Sequence, residues 1–302
     1  MKVFSFPNAK EVKSFRNLKS FHWIKSVQPK KAEIQELSKK LGITLEEFWS
    51  NLDQRERPRI EEFDNFTLIV FKARDESTSK TVSFPIFLTS KFVVTASKKP
   101  IAGVKKFEEI IKTSKISNVE DFLYKLLDAI QRDYYLVLDE LEKKIDLLEH
   151  KATKSANENT LEDIFKTKKT LIYFHNALTA NREVVTGIER GLVKDIKKVR
   201  KFRPLYDDIV QLIDMEATYR EILTGTLDIY MSSVSNDMNK VMKKVTSYAS
   251  LILVPTLISG VYGMNFEYIP GLNWEYGYFF AFSLMIVSVV LLYLYFEKKD
   301  WI

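Results

Sequence analysis

The feature that most restricts this chain is a pair of charge-free runs lying close together towards its C-terminal end. From Val245 to Phe266, VTSYASLILVPTLISGVYGMNF, 22 residues carry no charge; from Tyr276 to Phe296, YGYFFAFSLMIVSVVLLYLYF, 21 carry none. A helix needs about 20 apolar residues to cross the hydrocarbon core of a bilayer. Both runs therefore read as membrane spans, about 245–264 and 276–296, joined by a loop at 265–275. The first is the more polar. Thr246, Ser247, Ser250, Thr256 and Ser259 place small hydroxyls on its surface, which suits a position facing other helices or water. Pro255 within it removes one backbone hydrogen bond and permits a kink. The competing reading, two buried core helices of a soluble protein, does not account for the length of the runs or for their flanks.

Those flanks orient the spans. Lys240, Lys243 and Lys244 precede the first, Lys298 and Lys299 follow the second, and the connecting loop has no lysine or arginine. The positive-inside rule puts both termini in the cytosol and the loop outside, a multi-pass arrangement in the cell membrane. Trp274, Tyr276, Tyr278 and Trp301 fit interfacial anchors. The N-terminal MKVFSFPNAK lacks the apolar core of a signal peptide.

Composition removes several function classes. There is no cysteine, hence no disulfide framework or thiolate site, and the three histidines (His22, His150, His175) are widely scattered. The net charge of +6 is spread over interleaved lysines and acids, without the basic block and interspersed aromatics of a nucleic-acid partner. No glycine-rich phosphate loop and no nucleophile–base grouping stands out, so enzymatic activity is not expected.

With 302 residues there is room for a sizeable cytosolic part. Residues 1–115 read as an α+β (mixed α/β) domain. RIEEF, NFTLIVFKA, TVSFPIFLT and KFVVTAS are strand-like, and KKAEIQELSKKLG and GVKKFEEIIKT are helical. Residues 116–203 read as a helical hairpin. Tyr134, Leu138, Leu141, Ile145 and Leu148 form a seam, and after KATKSANEN a second helix begins near Thr160, with Ile164, Leu171, Leu178 and Val185 spaced by sevens.

From Pro204 to Tyr262 nothing resembles a turn, so residues 204–244 form a stalk helix that continues into the first span, roughly 90 Å of helix in all. One heptad stripe runs Asp207, Asp214, Glu221, Asp228, Ser235, Met242, Ala249, Thr256, Gly263; its half-step partners are Gln211, Thr218, Gly225, Ser232, Asn239, Thr246, Leu253, Gly260. The stripe is acidic in the cytosol, polar near Asn239, and small or apolar in the membrane. The opposite side, with Leu205, Ile209, Leu212, Tyr219, Leu223, Leu227 and Tyr230, suits packing. A straight helix drifts about 20° per heptad against this pattern, so several copies must tilt or supercoil together to keep the stripe on one face. It reads as the lining of a funnel and pore.

DIYMSSVSNDMNKVMKKVT (Asp228–Thr246), then Pro255 and GVYGMNFEYIP, a second span and a short basic C-terminus together resemble the CorA family of magnesium channels and transporters. The resemblance covers essentially the whole chain. It implies a homopentamer in the lipid bilayer, with five long helices around one central pore and the second spans outside them. Gly263, Met264 and Asn265 would form the selectivity filter, with Asn265 supplying a ring of amides at the outer mouth. Mg²⁺ dehydrates reluctantly, and neutral amide and carbonyl oxygens can hydrogen-bond its water shell without trapping the ion. Gly263 is expected to use unusual backbone angles and close approach, and Asn265 also suits a helix C-cap. Glu267 and Glu275 would concentrate cations. Met242, Ala249 and Leu253, with Val245 nearby, would form apolar rings that gate by dewetting. Asn239 would add a second amide ring, with Thr246, Thr256 and Gly260 completing the lining.

The resemblance also implies gating by cytosolic Mg²⁺ bound between subunits, where an acidic pair near the RPRIEEFDN strand meets an aspartate at the start of the stalk. Here the corresponding positions are Asp64, Asn65 and Pro204, so two carboxylates are missing. Asp64 with Asp207 or Asp208 would make a shifted regulatory site, and Asp228 would bind cations in the funnel. The outer loop has Ile269-Pro270-Gly271 where many relatives have Met-Pro-Glu, and the tail EKKDWI is less basic than usual. The implied function is Mg²⁺ influx, with Co²⁺ or Ni²⁺ able to follow. The alternatives are a zinc transporter of the same superfamily, against which the absent cysteine and sparse histidine argue mildly, and a membrane-anchored sensor that conducts nothing.

Overall fold

The computed structural model describes every residue except 8, 13–20, 54–55, 79, 155–156 and 272. The chain forms two compact units, residues 1–149 with 159–226 and residues 150–158 with 227–302.

The first unit is built on a seven-stranded sheet: β1 (Lys2–Ser5), β2 (Lys10–Glu11), β3 (His22–Val27), β4 (Arg59–Glu62), β5 (Thr67–Arg74), β6 (Thr81–Leu88) and β7 (Phe92–Ser97). Their spatial order is β2-β1-β3-β7-β6-β5-β4. Only β3 and β7 are parallel, with Ile24 opposite Val94. Successive side chains of a strand point to opposite faces, and Leu68, Ile69, Val70 and Phe71 of β5 are all fully buried, so both faces are covered. On one face lie α1 (Lys31–Leu41) and α2 (Leu45–Asn51). Ile34, Leu37 and Phe48 pack there with Ile24, Leu68 and Val94, and Phe48 stacks on Phe87 with centroids 5.1 Å apart. On the other face Trp23 contacts Phe107 of α3 (Ala102–Thr113) at 5.2 Å and Phe122 of α4 (Val119–Lys154) at 5.5 Å. Its indole donates to Thr95 Oγ1 at 2.9 Å.

Buried polar groups fix how the helices dock. β4 pairs with β5 only as far as Val70, leaving the backbone of Lys72 in need of partners on that side. Asn181 of α5 (Glu158–Glu189), fully buried, supplies both: its Oδ1 accepts from Lys72 N at 2.7 Å and its Nδ2 donates to Lys72 O at 2.8 Å. Asp133 of α4 is buried and takes two bonds from Arg74 (2.7 and 3.1 Å) and one from Lys106 (3.2 Å), tying β5, α3 and α4 together. Asp75, also buried, would have its pKa raised by desolvation. Lys99 at 2.6 Å, the Ser77 amide and the hydroxyls of Ser77 and Thr78 outweigh that and hold it at about 2.

The hairpin seam is formed as its spacing requires. Tyr134, Leu138, Ile145 and Leu148 are buried and Leu141 half-buried, while Ile164, Leu171, Leu178 and Val185 are fully covered. Part of its expected turn, residues 155–156, lies outside the described residues. After a 3-10 turn (Val199–Phe202), α6 runs without a break from Arg203 to Tyr262, with Pro255 inside it. The final helix, α7, is Gly277–Lys298. Strands β1–β3 and helix α2 were not expected from the sequence; α2 is held by a capping box in which Thr44 accepts from Glu47 N and Glu47 accepts from Thr44 N.

Candidate functional site

The membrane half of α6 has one face covered by its own chain and one face bare. Ser247 is buried, and Leu251, Val254, Ile258 and Tyr262 are half-buried on the same side; nearby, Ser259 Oγ lies 4.0 Å from Met285 Sδ of α7. At about 100° per residue, Met242, Ala249, Leu253, Thr256 and Gly260 lie roughly 180–240° around the helix from Ser247. All five are exposed in the protomer, as are Asn239, Thr246 and Gly263. The same stripe is bare in the first half, where Leu205, Ile209, Leu212, Tyr219, Leu223 and Tyr230 are buried and Asp207, Asp214, Glu221 and Asp228 are exposed.

At the end of α6, Gly263 N makes the last helical bond, to Ser259 O at 2.8 Å, and Met264 N closes a tighter turn onto Val261 O at 3.3 Å. Those two residues terminate the helix. Asn265 lies one residue further on, exposed, and its amide makes no hydrogen bond among the described residues. The unusual backbone angle expected at Gly263 is not used there. A Cβ on Gly263 would come within 3.1 Å of Ser259 O, so close approach is its constraint, and the positive φ of the loop (+87°) belongs to Gly271. A Cβ on Gly277 would meet Gly271 O at 2.1 Å, so these two glycines let the loop fold back onto the start of α7. Glu267 and Glu275 are exposed, and Leu272 of this loop lies outside the described residues.

The proposed regulatory carboxylates are placed separately within one protomer. Asp64 is exposed in the tight β4–β5 turn, where Phe63 N bonds Phe66 O. Asp207 pairs with Arg203 at 3.3 Å on the first turn of α6. The Asp208 carboxyl is raised above its ordinary value by burial and by Asp128 of α4 with a smaller push from Asp207, against the pull of Arg132. Asp128, which no periodicity singled out, is thus the acidic neighbour of Asp208. Desolvation, with the Asp208 charge adding, pushes the Tyr135 phenol up to about 12. Among the described residues no three acidic or histidine side chains gather as a metal site within the chain.

Chemically, this is a helix that offers a continuous bare stripe, free of charge from Val245 onward, ending in an amide unpaired among the described residues. Among the described residues, α6 and α7 are the two helices long and apolar enough to cross a membrane. A family model for the CorA-like Mg²⁺ transporter protein matches residues 19–299. The Cobalt/magnesium transport protein CorA of Methanocaldococcus jannaschii is 36% identical over 288 residues, covering 93% of this chain and 91% of its own. The protein of the same name from Thermotoga maritima is 31% identical and covers 99% and 88%. The complete structure of the CorA magnesium transporter from M. jannaschii superposes with a TM-score of 0.89 at 32% identity, covering 100% of this chain and 98% of that one. With this coverage, and with two helices long and apolar enough to cross a membrane following a mixed α/β domain, the chain is a membrane protein of the CorA-like Mg²⁺ transporter family.

Proposed function

We propose that this protein is a homopentameric Mg²⁺ channel of the cell membrane, with both termini in the cytosol, that carries Mg²⁺ inward through a central pore lined by α6. The observation that carries the reading is the bare stripe from Met242 to Gly263, on the side of α6 away from its covered face, ending at an Asn265 amide without a partner among the described residues. In a ring of copies, the five Asn265 amides would meet hydrated Mg²⁺ at the outer mouth, with Gly263 and Met264 shaping the turn that presents them. Asn239, Thr246, Thr256 and Gly260 would line the path, and Met242, Ala249 and Leu253 would close it by excluding water. The inside-negative potential supplies about 2.3 kcal/mol per charge per 100 mV, hence twice that for a divalent ion.

Regulation follows from the acidic part of the same stripe. Asp207, Asp214, Glu221 and Asp228 would repel their copies around the ring, and Asp208 already has Asp128 beside it. Cytosolic Mg²⁺ bound there, with Asp64 as a candidate ligand from the sheet domain, would favour the closed arrangement. Currents that do not change when cytosolic Mg²⁺ is varied over the millimolar range would refute this part alone.

The names of the relatives, cobalt and magnesium transport proteins, favour Mg²⁺ over zinc, and the bare stripe speaks against a sensor that conducts nothing. The test is ion uptake into proteoliposomes by wild type and Asn265→Ala, with Mg²⁺ and Zn²⁺ in parallel. We expect Mg²⁺ uptake by wild type and a loss of about tenfold or more in the variant, since about 1.4 kcal/mol of lost hydration-shell bonding already gives tenfold. Unchanged Mg²⁺ flux in an assembled variant sinks the role of Asn265; uptake of Zn²⁺ alone favours the zinc reading, and no uptake of either ion favours the sensor.

A further inference from the structure

Between α6 and α7, on the side of α6 away from the bare stripe, is a half-enclosed cavity of about 340 Å³, within the size range of small-ligand pockets. Its outer end is shaped by Gly271 and Gly277, whose backbones touch too closely for a side chain, and by Tyr262. From Gly277 to Met285 its wall follows α7, past Ala281 and Phe282, for roughly 12 Å at 1.5 Å per residue. Polarity changes along that length. Tyr262 brings a phenol that has no hydrogen-bond partner among the described residues, while the deep end is Ala281, Phe282 and Met285. Ser259, also in the wall, turns its hydroxyl back onto Pro255 O at 2.9 Å.

At its deep end the cavity is apolar and offers water no partner. Its outer end is level with Trp274, Tyr276 and Tyr278, which are 55%, 59% and 75% exposed, as aromatic anchors at a bilayer surface are. The cavity therefore offers phenol donors, from Tyr262 and from Tyr278 at its rim, at headgroup depth and an apolar channel below them. We propose that it holds one acyl chain of an outer-leaflet phospholipid, with the Tyr262 hydroxyl donating to the chain's ester carbonyl. The inference rests on α6 and α7 spanning the membrane. The lipid fills space that protein side chains leave open directly behind Thr256 and Gly260, so it braces α6 next to Asn265. Mg²⁺ flux then depends on which chains the outer leaflet supplies.

The test reconstitutes the full chain in phosphatidylcholine vesicles carrying a diazirine on one acyl chain, then maps the photo-adducts by mass spectrometry. In wild type, Phe282 and Met285 should be labelled in excess of Leu291 and Leu294 of the same helix, which are 62% and 53% exposed. Ala281→Leu, which fills the cavity, should abolish the excess. Tyr262→Phe, which keeps the shape and removes one hydrogen bond, should lower it about fivefold. Labelling no greater at Met285 than at Leu291 in wild type overturns the proposal, as does an excess that Ala281→Leu and Tyr262→Phe both leave intact. Mg²⁺ uptake by the same vesicles is read separately. Uptake with even labelling removes the lipid site and keeps transport; cavity labelling without uptake does the reverse.

Discussion

Between Leu205 and Tyr230, α6 buries a side chain on nearly every turn against its own protomer; between Met231 and Thr246 it buries none. The helix is continuous across the two stretches and its heptad does not change. What differs is who covers it. The first stretch belongs to a core that one chain completes, so its apolar residues serve stability. The second offers Met231, Met238, Val241, Met242 and Val245, all more than half exposed, which is far more apolar surface than a helix standing alone in water keeps. On the proposed function, that surface serves other copies, the bilayer and the ion path.

The contrast can be broken most severely at Ile209, fully buried. Ile209→Ala should cost about 2–5 kcal/mol of unfolding free energy. Val241→Ala, 58% exposed in the protomer, should change the stability of the sheet domain by less than about 0.5 kcal/mol. Chemical denaturation of the detergent-solubilised protein, followed by the fluorescence of Trp23, compares them; equal losses would mean that the two stretches are not distinct.

A smaller effect comes from acid. The Asp75 carboxyl is held at about 2, against an ordinary value of 3.8, so the contribution of its charged form is complete above the ordinary value and is lost as pH falls towards 2. About 2 kcal/mol of stability should disappear across that window, and Asp75→Asn should flatten the dependence. The bare stretch has no buried carboxylate, so its helical signal should persist through the same titration. Loss of both signals at one midpoint would argue that a single cooperative unit spans them.

The smallest change in stability is expected at Met242, 59% exposed. Met242→Ser should leave unfolding within about 0.5 kcal/mol of wild type and yet raise Mg²⁺ uptake under conditions that close the channel, because a hydroxyl ring wets where a thioether ring does not. A variant that is destabilised without any gain in flux would place Met242 in a packing role.

How much of this could be read in one dimension depended on how local the cause was. The unbroken extent of α6 was visible because proline and glycine are nearly absent from it, and its start was misplaced by only one residue. The two long apolar helices were visible because charge is missing over a length that a bilayer requires. Strand β3 was not: HWIKSV is short, carries Lys25, and is specified by its parallel pairing with β7 and by the Trp23–Phe107–Phe122 cluster, all distant in sequence. Helix α2 was announced by Thr44 and Glu47 at capping-box spacing, a signal that was present but not used. At the candidate site, the face of Asn239 to Gly263 followed from period alone. The proximity of Asp128 to Asp208 did not, since 80 residues, with the whole of α5 among them, separate them in the chain. Gly271, seen at first as a missing acid, proves to be a conformational requirement of the loop.

The order of the elements along the chain also bears on how the protein is made. Every residue of the buried sheet domain, and the covered part of α6 up to Tyr230, is synthesised before Val245 begins the first span. Domains fold as units during synthesis, N-terminal ones first. The water-soluble half can therefore reach its native state on the ribosome while the chain has nothing yet to offer a bilayer. With both termini in the cytosol, as proposed above, insertion would fall to a molecule already carrying a folded mass on that side, leaving only the short loop between α6 and α7 to be moved across.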